Sequence, residues 1–335
     1  MRARLIRLYA VLAVLNLAAW GAAMLLFDRP ALWALALTAY GLGLRHSVDA
    51  DHIAAIDNAT RKLMQRGHRP VAVGLFFALG HSTVVMLAVL AVAAMAGAAS
   101  SRFAALKDVS GLIGTSVSVL FLFAMAAVNF FILCSIWRSW RRLRSGESLP
   151  AGALAEGPLE GRGPVARTLR PLFRLVTKSW HMFPVGFLFG LGFDTATEVT
   201  LLGLAAGQAM NGLSLWSILV LPFLFAAGMS LVDATDGVLM VGAYDWALLD
   251  PARRLGYNLV VTLASIVVAV VVGGVEAMGI AAERFDLAGP VWTVVHVLDD
   301  HSGLIGAAIV GLFGLTWLVA LLRAQRKRRV ALTFH

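Results

Sequence analysis

The chain is poor in cysteine and in charged residues. Cys134 is the single cysteine among 335 residues, so the sequence excludes an internal disulfide and offers no cluster of thiolate ligands. Charged residues make up only 14% of the chain, whereas hydrophobic residues make up 59% and the mean hydropathy is +0.81. The composition therefore excludes an ordinary soluble domain and indicates an all-α integral membrane protein.

Two catalytic signatures are also missing. The chain contains no Gly-x-x-x-x-Gly-Lys-Ser/Thr loop, so we do not expect it to hydrolyse ATP itself. It contains no His-Glu-x-x-His pattern, which excludes the common zinc metalloprotease arrangement. We therefore predict that the protein is not an enzyme and that it carries no cofactor.

Long apolar runs are abundant instead. Runs near the roughly 20 residues that a bilayer requires recur about eight times. They predict transmembrane helices at residues 5–27, 32–56, 71–96, 111–137, 182–206, 215–241, 257–281 and 304–322.

A polar segment rich in glycine and proline, residues 138–178, divides these runs into two groups. Such a composition is typical of a flexible linker. We predict a first transmembrane half of four spans in residues 1–137 and a second half of four spans in residues 179–335.

Basic residues give the chain a net charge of +9 and lie at the ends of the apolar runs. They are concentrated at the N-terminus, in residues 61–69, beside the linker and in residues 323–329. Cytoplasmic segments of membrane proteins carry such an excess. The pattern predicts both termini in the cytoplasm, with the lipid bilayer rather than nucleic acid as the partner of these charges.

The most unusual stretch is residues 44–58, where ionisable side chains crowd the end of an apolar run. Each of Arg45, Asp49 and Asp51 would cost about 2.5 to 3.5 kcal/mol at the middle of a membrane. Ionisable residues that are retained within a membrane-spanning run despite this cost indicate a functional site. The alternatives are that Arg45 pairs with Asp49 while the histidines bond to carbonyl groups, or that the helix ends early in a hydrated loop.

On a continuous helix, His46, Asp49 and His52 share one face, whereas Asp51 points elsewhere. Two imidazoles and a carboxylate suit a divalent transition metal such as Zn, Cu, Fe or Ni. The stretch therefore predicts a metal site on the second span.

Other apolar runs carry polar residues that could join this site. His81 lies in the third run, Asp194 and Glu198 are four residues apart in the fifth, and Asp233 and Asp236 are three residues apart in the sixth. Each acidic pair shares a helix face. The alternatives are a packed histidine and acidic side chains that form salt bridges with Arg45.

Two short patterns occur once in each half. Residues 41–43 recur as 190–192, and residues 77–85 resemble residues 225–233. The predicted topology makes the second and fifth spans cross the membrane in opposite directions. The pattern therefore indicates an inverted internal repeat, which is typical of transporters.

Four segments together resemble the nickel/cobalt transporter family known as NiCoT. They are the Arg-His-Ser-Val-Asp-Ala-Asp-His-Ile sequence at residues 45–53 and residues 76–85, 191–198 and 228–237. The segments occur in the family's order, and the family's eight-span plan matches the predicted spans. Ser47 and Ala234 stand where the family commonly has alanine and threonine.

The resemblance implies import of Ni²⁺ or Co²⁺ across a bacterial cytoplasmic membrane, with the ion as substrate. It implies that His46, Asp51 and His52 are the residues most closely tied to transport, whereas the helical face favours Asp49 over Asp51. Both carboxylates remain candidates. The predicted metal ligands are His46, Asp49, Asp51, His52, His81, Asp194, Glu198, Asp233 and Asp236.

Two other functions fit parts of the sequence. Exporters of the same metals share some of the pattern, but the linker contains no histidine, whereas long histidine-rich loops often mark such exporters. The spacing of His46 and Asp51 also matches the histidine–aspartate pair of membrane acyltransferases, in which the histidine acts as a general base. We find no second substrate motif for such an enzyme. The sequence does not separate Ni²⁺ from Co²⁺ or define an oligomeric state.

Overall fold

The computed structural model describes residues 1–94, 115–131, 133–134, 137, 141, 176–192, 196–247, 251–301, 304–309 and 311. Its described residues form helices and turns without a strand. The helices are α1 (Arg2–Leu26), α2 (Pro30–His46), α3 (Ala50–Gln65), α4 (Val73–Ala94), α5 (Thr115–Phe131), α6 (Met182–Phe189), α7 (Ala196–Met210), α8 (Leu215–Ala247), α9 (Pro251–Arg284) and α10 (Pro290–Asp300).

Four of these helices are long and apolar enough to cross a membrane. The apolar segments are Arg2–Leu26, Val73–Ala93, Leu215–Gly242 and Thr262–Arg284. They confirm the all-α prediction and agree with a membrane protein that crosses the bilayer several times. Most of the predicted linker and most of the last predicted span lie outside the described residues.

The second apolar run folds as two helices rather than one. α2 ends at His46, and α3 begins at Ala50 after Asp49, whose backbone is extended with φ −64° and ψ 146°. The continuous helix assumed for this stretch is therefore wrong. Aspartate favours a helix N-cap over a helix interior, which is consistent with a break at Asp49. Its side chain makes no cap hydrogen bond and contacts His46 instead.

The fifth apolar run is interrupted in the same way. α6 ends at Phe189, a short 3₁₀ turn spans Gly190–Gly192, and α7 begins at Ala196. Residues 193–195 lie outside the described part of the chain. Non-helical backbone at membrane depth is tolerated only where protein buries it or where it lines a cavity. Both interruptions occur in runs that carry predicted ligands.

Glycines bring the helices around α8 and α4 to backbone contact. α8 packs against α1, α2, α3 and α4, and α4 also packs against α6. A Cβ at Gly43 of α2 would overlap the carbonyl oxygen of Phe225 on α8. A Cβ at Gly80 of α4 would overlap the carbonyl oxygen of Phe183 on α6. These contacts fix the rotation and spacing of the helices that carry the site.

We expect Gly43→Ala to lower the stability of the protein by about 1 to 3 kcal/mol, the usual cost of overpacking. The added methyl group would force α2 away from α8. Gly41→Ala is the matched control, because a Cβ there meets nothing within 4 Å. Thermal unfolding in detergent would compare the two variants. Equal stability of both variants would contradict the close contact at Gly43.

α3 is buried along most of its length although it carries charged residues. Arg61 is 2% exposed, and its guanidinium donates to the hydroxyls of Thr262 and Ser265 on α9 at 3.1 and 2.7 Å. Its Nη2 also lies 3.9 Å from Asp57 Oδ1, and the Ser265 hydroxyl donates to Asp57 Oδ2. This network joins α3 to α9 and gives the buried Asp57 carboxylate a counter-charge.

Candidate metal centre

Three imidazoles from three helices meet inside the bundle. His46 ends α2, His52 lies in the first turn of α3, and His81 lies on α4. Their exposed fractions are 1%, 0% and 3%, and one ring nitrogen from each lies within 4.8 Å of the others. Two ligands about 2.1 Å from one ion lie at most about 4.2 Å apart. Ligands of a tetrahedral site lie about 3.4 Å apart, so a contraction of roughly 1 to 1.5 Å would let the three nitrogens bind one ion.

The Nε2 atoms are the natural ligand atoms of this cluster. His46 Nε2 and His81 Nε2 are 3.0 Å apart, and His52 Nε2 is buried without a hydrogen-bond partner. Two imidazole nitrogens at this distance either share a proton or direct their lone pairs at one cation. The arrangement is thus suited to a borderline transition metal.

Two carboxylates hold the opposite nitrogens of these rings. His46 Nδ1 lies 3.0 Å from Asp49 Oδ2, and His52 Nδ1 lies 3.3 Å from Asp233 Oδ2. When Nδ1 donates its proton to a carboxylate, Nε2 keeps its lone pair for a metal. Asp49 and Asp233 are thus in position to orient the imidazoles and to favour the tautomers that leave Nε2 for a metal. Thr197 Oγ1, 3.1 Å from His46 Nδ1, adds a second contact that the sequence did not predict.

Glu198 brings a carboxylate into contact with the imidazole cluster. Its Oε1 lies 2.8 Å from His81 Nε2 and 3.9 Å from His46 Nε2, and the residue is 1% exposed. The start of α7, just after the interruption in the fifth run, places it there. A carboxylate beside three imidazoles gives a cation both nitrogen donors and a negative charge.

Two aromatic rings form part of the surroundings of the imidazoles. Phe77 meets His52 edge to face at a centroid distance of 4.9 Å, and the Phe225 and His46 centroids are 5.5 Å apart. Both phenylalanines are fully buried and keep the surroundings apolar. The site prediction did not include them. The sequence does contain one sign of their importance: Phe77 begins residues 77–85 and Phe225 begins the similar residues 225–233.

The other predicted ligands have different places. Asp51 is half-buried in the first turn of α3, within electrostatic range of His46 and His52, but it does not belong to the group of three ring nitrogens. Asp236 lies on α8, three residues beyond Asp233. Asp194 lies outside the described residues. The predicted ligands therefore differ in how closely they approach the three imidazole rings.

Long apolar helices around buried imidazoles and carboxylates define a multi-pass membrane protein with a centre suited to transition-metal ions. The chain belongs to the NicO family, described as high-affinity nickel-transport proteins, whose model matches residues 32–323. This confirms the family resemblance seen in the sequence. No solved structure matches the chain.

Curated relatives cover almost the whole chain. A high-affinity nickel transport protein of Cupriavidus necator is 49% identical over 98% of this chain and 93% of its own length. The nickel transporter NicT of Mycobacterium tuberculosis is 47% identical over 95% of this chain and 88% of its own. The cobalt transport protein NhlF of Rhodococcus rhodochrous is 43% identical over 85% and 80%. These are transport proteins, so the prediction that the chain is not an enzyme is confirmed.

Proposed function

We propose that the protein imports Ni²⁺ or Co²⁺ as a secondary transporter of the bacterial cytoplasmic membrane. The observation that carries this proposal is the convergence of three buried imidazoles on one another within a bundle of apolar helices. The Nε2 atoms of His46, His52 and His81, together with Glu198 Oε1, would bind the ion. Asp49 and Asp233 would hold the first two rings in place.

The proposed substrates follow from the ligand chemistry and from the relatives. Imidazole and carboxylate donors accept both ions, which are adjacent in the order of metal affinities. The names of the relatives include nickel and cobalt transport proteins. We therefore propose both ions as substrates and make no assignment of preference.

We propose eight spans, with α2 and α3 forming one interrupted span and α6 and α7 another, and with both termini in the cytoplasm. The basic segments support this topology. We also propose that the two halves are inverted repeats, in which α2 corresponds to α6 and α4 to α8. The packing of the helices supports this. α2 packs on α8 and α6 packs on α4, and these two pairs are equivalent if α2 corresponds to α6 and α8 to α4.

The membrane potential can drive import without a further energy source. A divalent cation that moves inward across a membrane potential of 100 mV, negative inside, gains about 4.6 kcal/mol because it moves toward the negative side. This equals roughly three decades of accumulation. The proposed cycle therefore needs no ATPase, and the interrupted helices would expose the centre to each side in turn.

Uptake of radioactive nickel and cobalt tests the direction of transport. The chain would be expressed in bacterial cells that lack their own nickel and cobalt carriers. We expect cell-associated metal to rise above that of cells with an empty vector. A fall in cell-associated metal together with greater metal tolerance would instead support the alternative, an exporter.

We expect Asp49→Asn to weaken nickel binding by about 10- to 100-fold, the usual loss when an outer hydrogen-bond partner of a metal ligand is removed. His46 would lose the charged acceptor beside its Nδ1, because asparagine offers only a neutral amide, but no ligand atom would leave the ion. The Co²⁺ absorption spectrum of the purified variant should therefore keep the wild-type coordination number. Asp28→Asn, at an exposed residue, is the control. A changed coordination number in Asp49→Asn would make Asp49 a direct ligand.

A further inference from the structure

A second group of carboxylates lies near the imidazoles, between α3 and α8. Asp236 and Asp233 share one face of α8, since they are three residues apart. Gly237 faces α3, and a Cβ at that glycine would lie 3.6 Å from Ile56 Cγ2. The neighbouring Asp236 carboxylate lies within electrostatic range of Asp57 and Asp233.

Three oxygens of this group are buried without a hydrogen-bond partner. Asp236 is only 7% exposed, and neither of its carboxylate oxygens has a partner. Asp233 is fully buried; its Oδ2 contacts His52, while its Oδ1 has no partner. A buried charge without a partner is strongly unfavourable, and a bound cation removes that cost.

The neighbouring Asp57 already has its counter-charge. Arg61 lies 3.9 Å from Asp57 Oδ1, and Ser265 donates to Oδ2. The oxygens of this group that lack hydrogen bonds are therefore Asp233 Oδ1 and both carboxyl oxygens of Asp236. Asp233 contacts His52, and Asp236 lies about one helical turn further along α8, next to Gly237, which faces Ile56 on the part of α3 that runs on to Gln65.

We propose that Asp233 Oδ1 and the Asp236 carboxylate form a second site for a divalent cation, separate from the imidazole centre. The proposal rests on the proposed transport function. The transported ion would occupy this site between the imidazoles and the side of the membrane where α3 ends. Oxygen donors hold Ni²⁺ and Co²⁺ less firmly than imidazoles do. A weaker site beside a stronger one lets an ion leave a centre that binds it well.

Equilibrium dialysis of the purified full chain in lipid nanodiscs against nickel alone, at neutral pH, tests this second site. We expect the wild type to bind two ions, one more weakly than the other. Asp236→Asn should lose the weaker ion and keep the tighter one, whereas His46→Ala should lose the tighter ion and keep the weaker. Asp28→Asn, at an exposed acidic residue, should bind both ions.

The outcomes distinguish this proposal from the proposed function. A single tightly bound ion in the wild type, lost in His46→Ala, would overturn the second site and leave the imidazole centre intact. Two ions in Asp236→Asn would also overturn it. If Asp236→Asn lost both ions, Asp236→Glu would decide: recovery of both supports the site, and failure to recover the weaker ion overturns it. A wild type that bound no nickel would overturn the proposed function itself.

Discussion

Replacement of His46, His52 or His81 by alanine, one at a time, is expected to lower nickel uptake at least about 100-fold. Loss of an outer hydrogen-bond partner already costs up to about 100-fold in metal affinity, and each of these changes removes a ligand. The three rings come from α2, α3 and α4 and are buried, so no neighbouring imidazole is free to replace the one removed. Uptake of radioactive nickel by carrier-deficient cells would measure the effect.

The matched control is His68→Ala, at an exposed histidine in the turn after α3. It should transport nickel as the wild type does. Each variant must also reach the membrane at the wild-type level, which immunoblotting of membrane fractions would establish. Normal uptake by any one of the three imidazole variants would remove that ring from the proposed ligand set.

Arg61→Met is expected to lower the free energy of unfolding by about 3 to 5 kcal/mol, because it leaves Asp57 as a buried charge without its cationic partner. Two hydrogen bonds that join α3 to Thr262 and Ser265 of α9 would be lost as well. Unfolding of the purified protein in mixed detergent micelles, followed by tryptophan fluorescence, would measure the change.

A second change separates charge from packing in this network. Adding Asp57→Asn to Arg61→Met removes the uncompensated charge and should restore most of the lost stability. Arg284→Met, at an exposed arginine near the end of α9, should have little effect. If the double variant were no more stable than Arg61→Met alone, the Asp57 charge would not be the cause.

The residues that meet at the centre could largely be named from the sequence. His46, His52, His81 and Glu198 are ionisable residues inside apolar runs, where their cost indicates a use. The distances between these side chains could not be derived, because the spacing of residues along one helix says nothing about how far they lie from residues on another helix. The structure supplies that information by bringing four different helices together.

The positions of the carboxylates relative to the imidazoles depend on a helix break and on helix rotation, neither of which the spacing of polar residues in the sequence reveals. The periodicity predicts Asp49 beside His46 on one continuous helix, whereas in the structure the two residues meet across a break between two helices. Whether Asp233 faces an imidazole depends on the rotation of α8. That rotation is set by contacts such as Gly43 against Phe225, which belong to separate parts of the sequence.

The glycine contacts also distinguish two parts of the centre by how closely their helices pack. Gly43 and Gly80 bring α2 against α8 and α4 against α6, and Gly74 brings α4 against the backbone of Asp233. These helices form one block that carries two of the imidazoles. Glu198 lies on α7, which packs against α2 and α4 but has no glycine in such close contact among its described residues, since Cβ atoms at Gly203 and Gly207 meet nothing within 4 Å. We therefore expect Glu198, rather than the imidazole rings of the block, to move further when the ion is released.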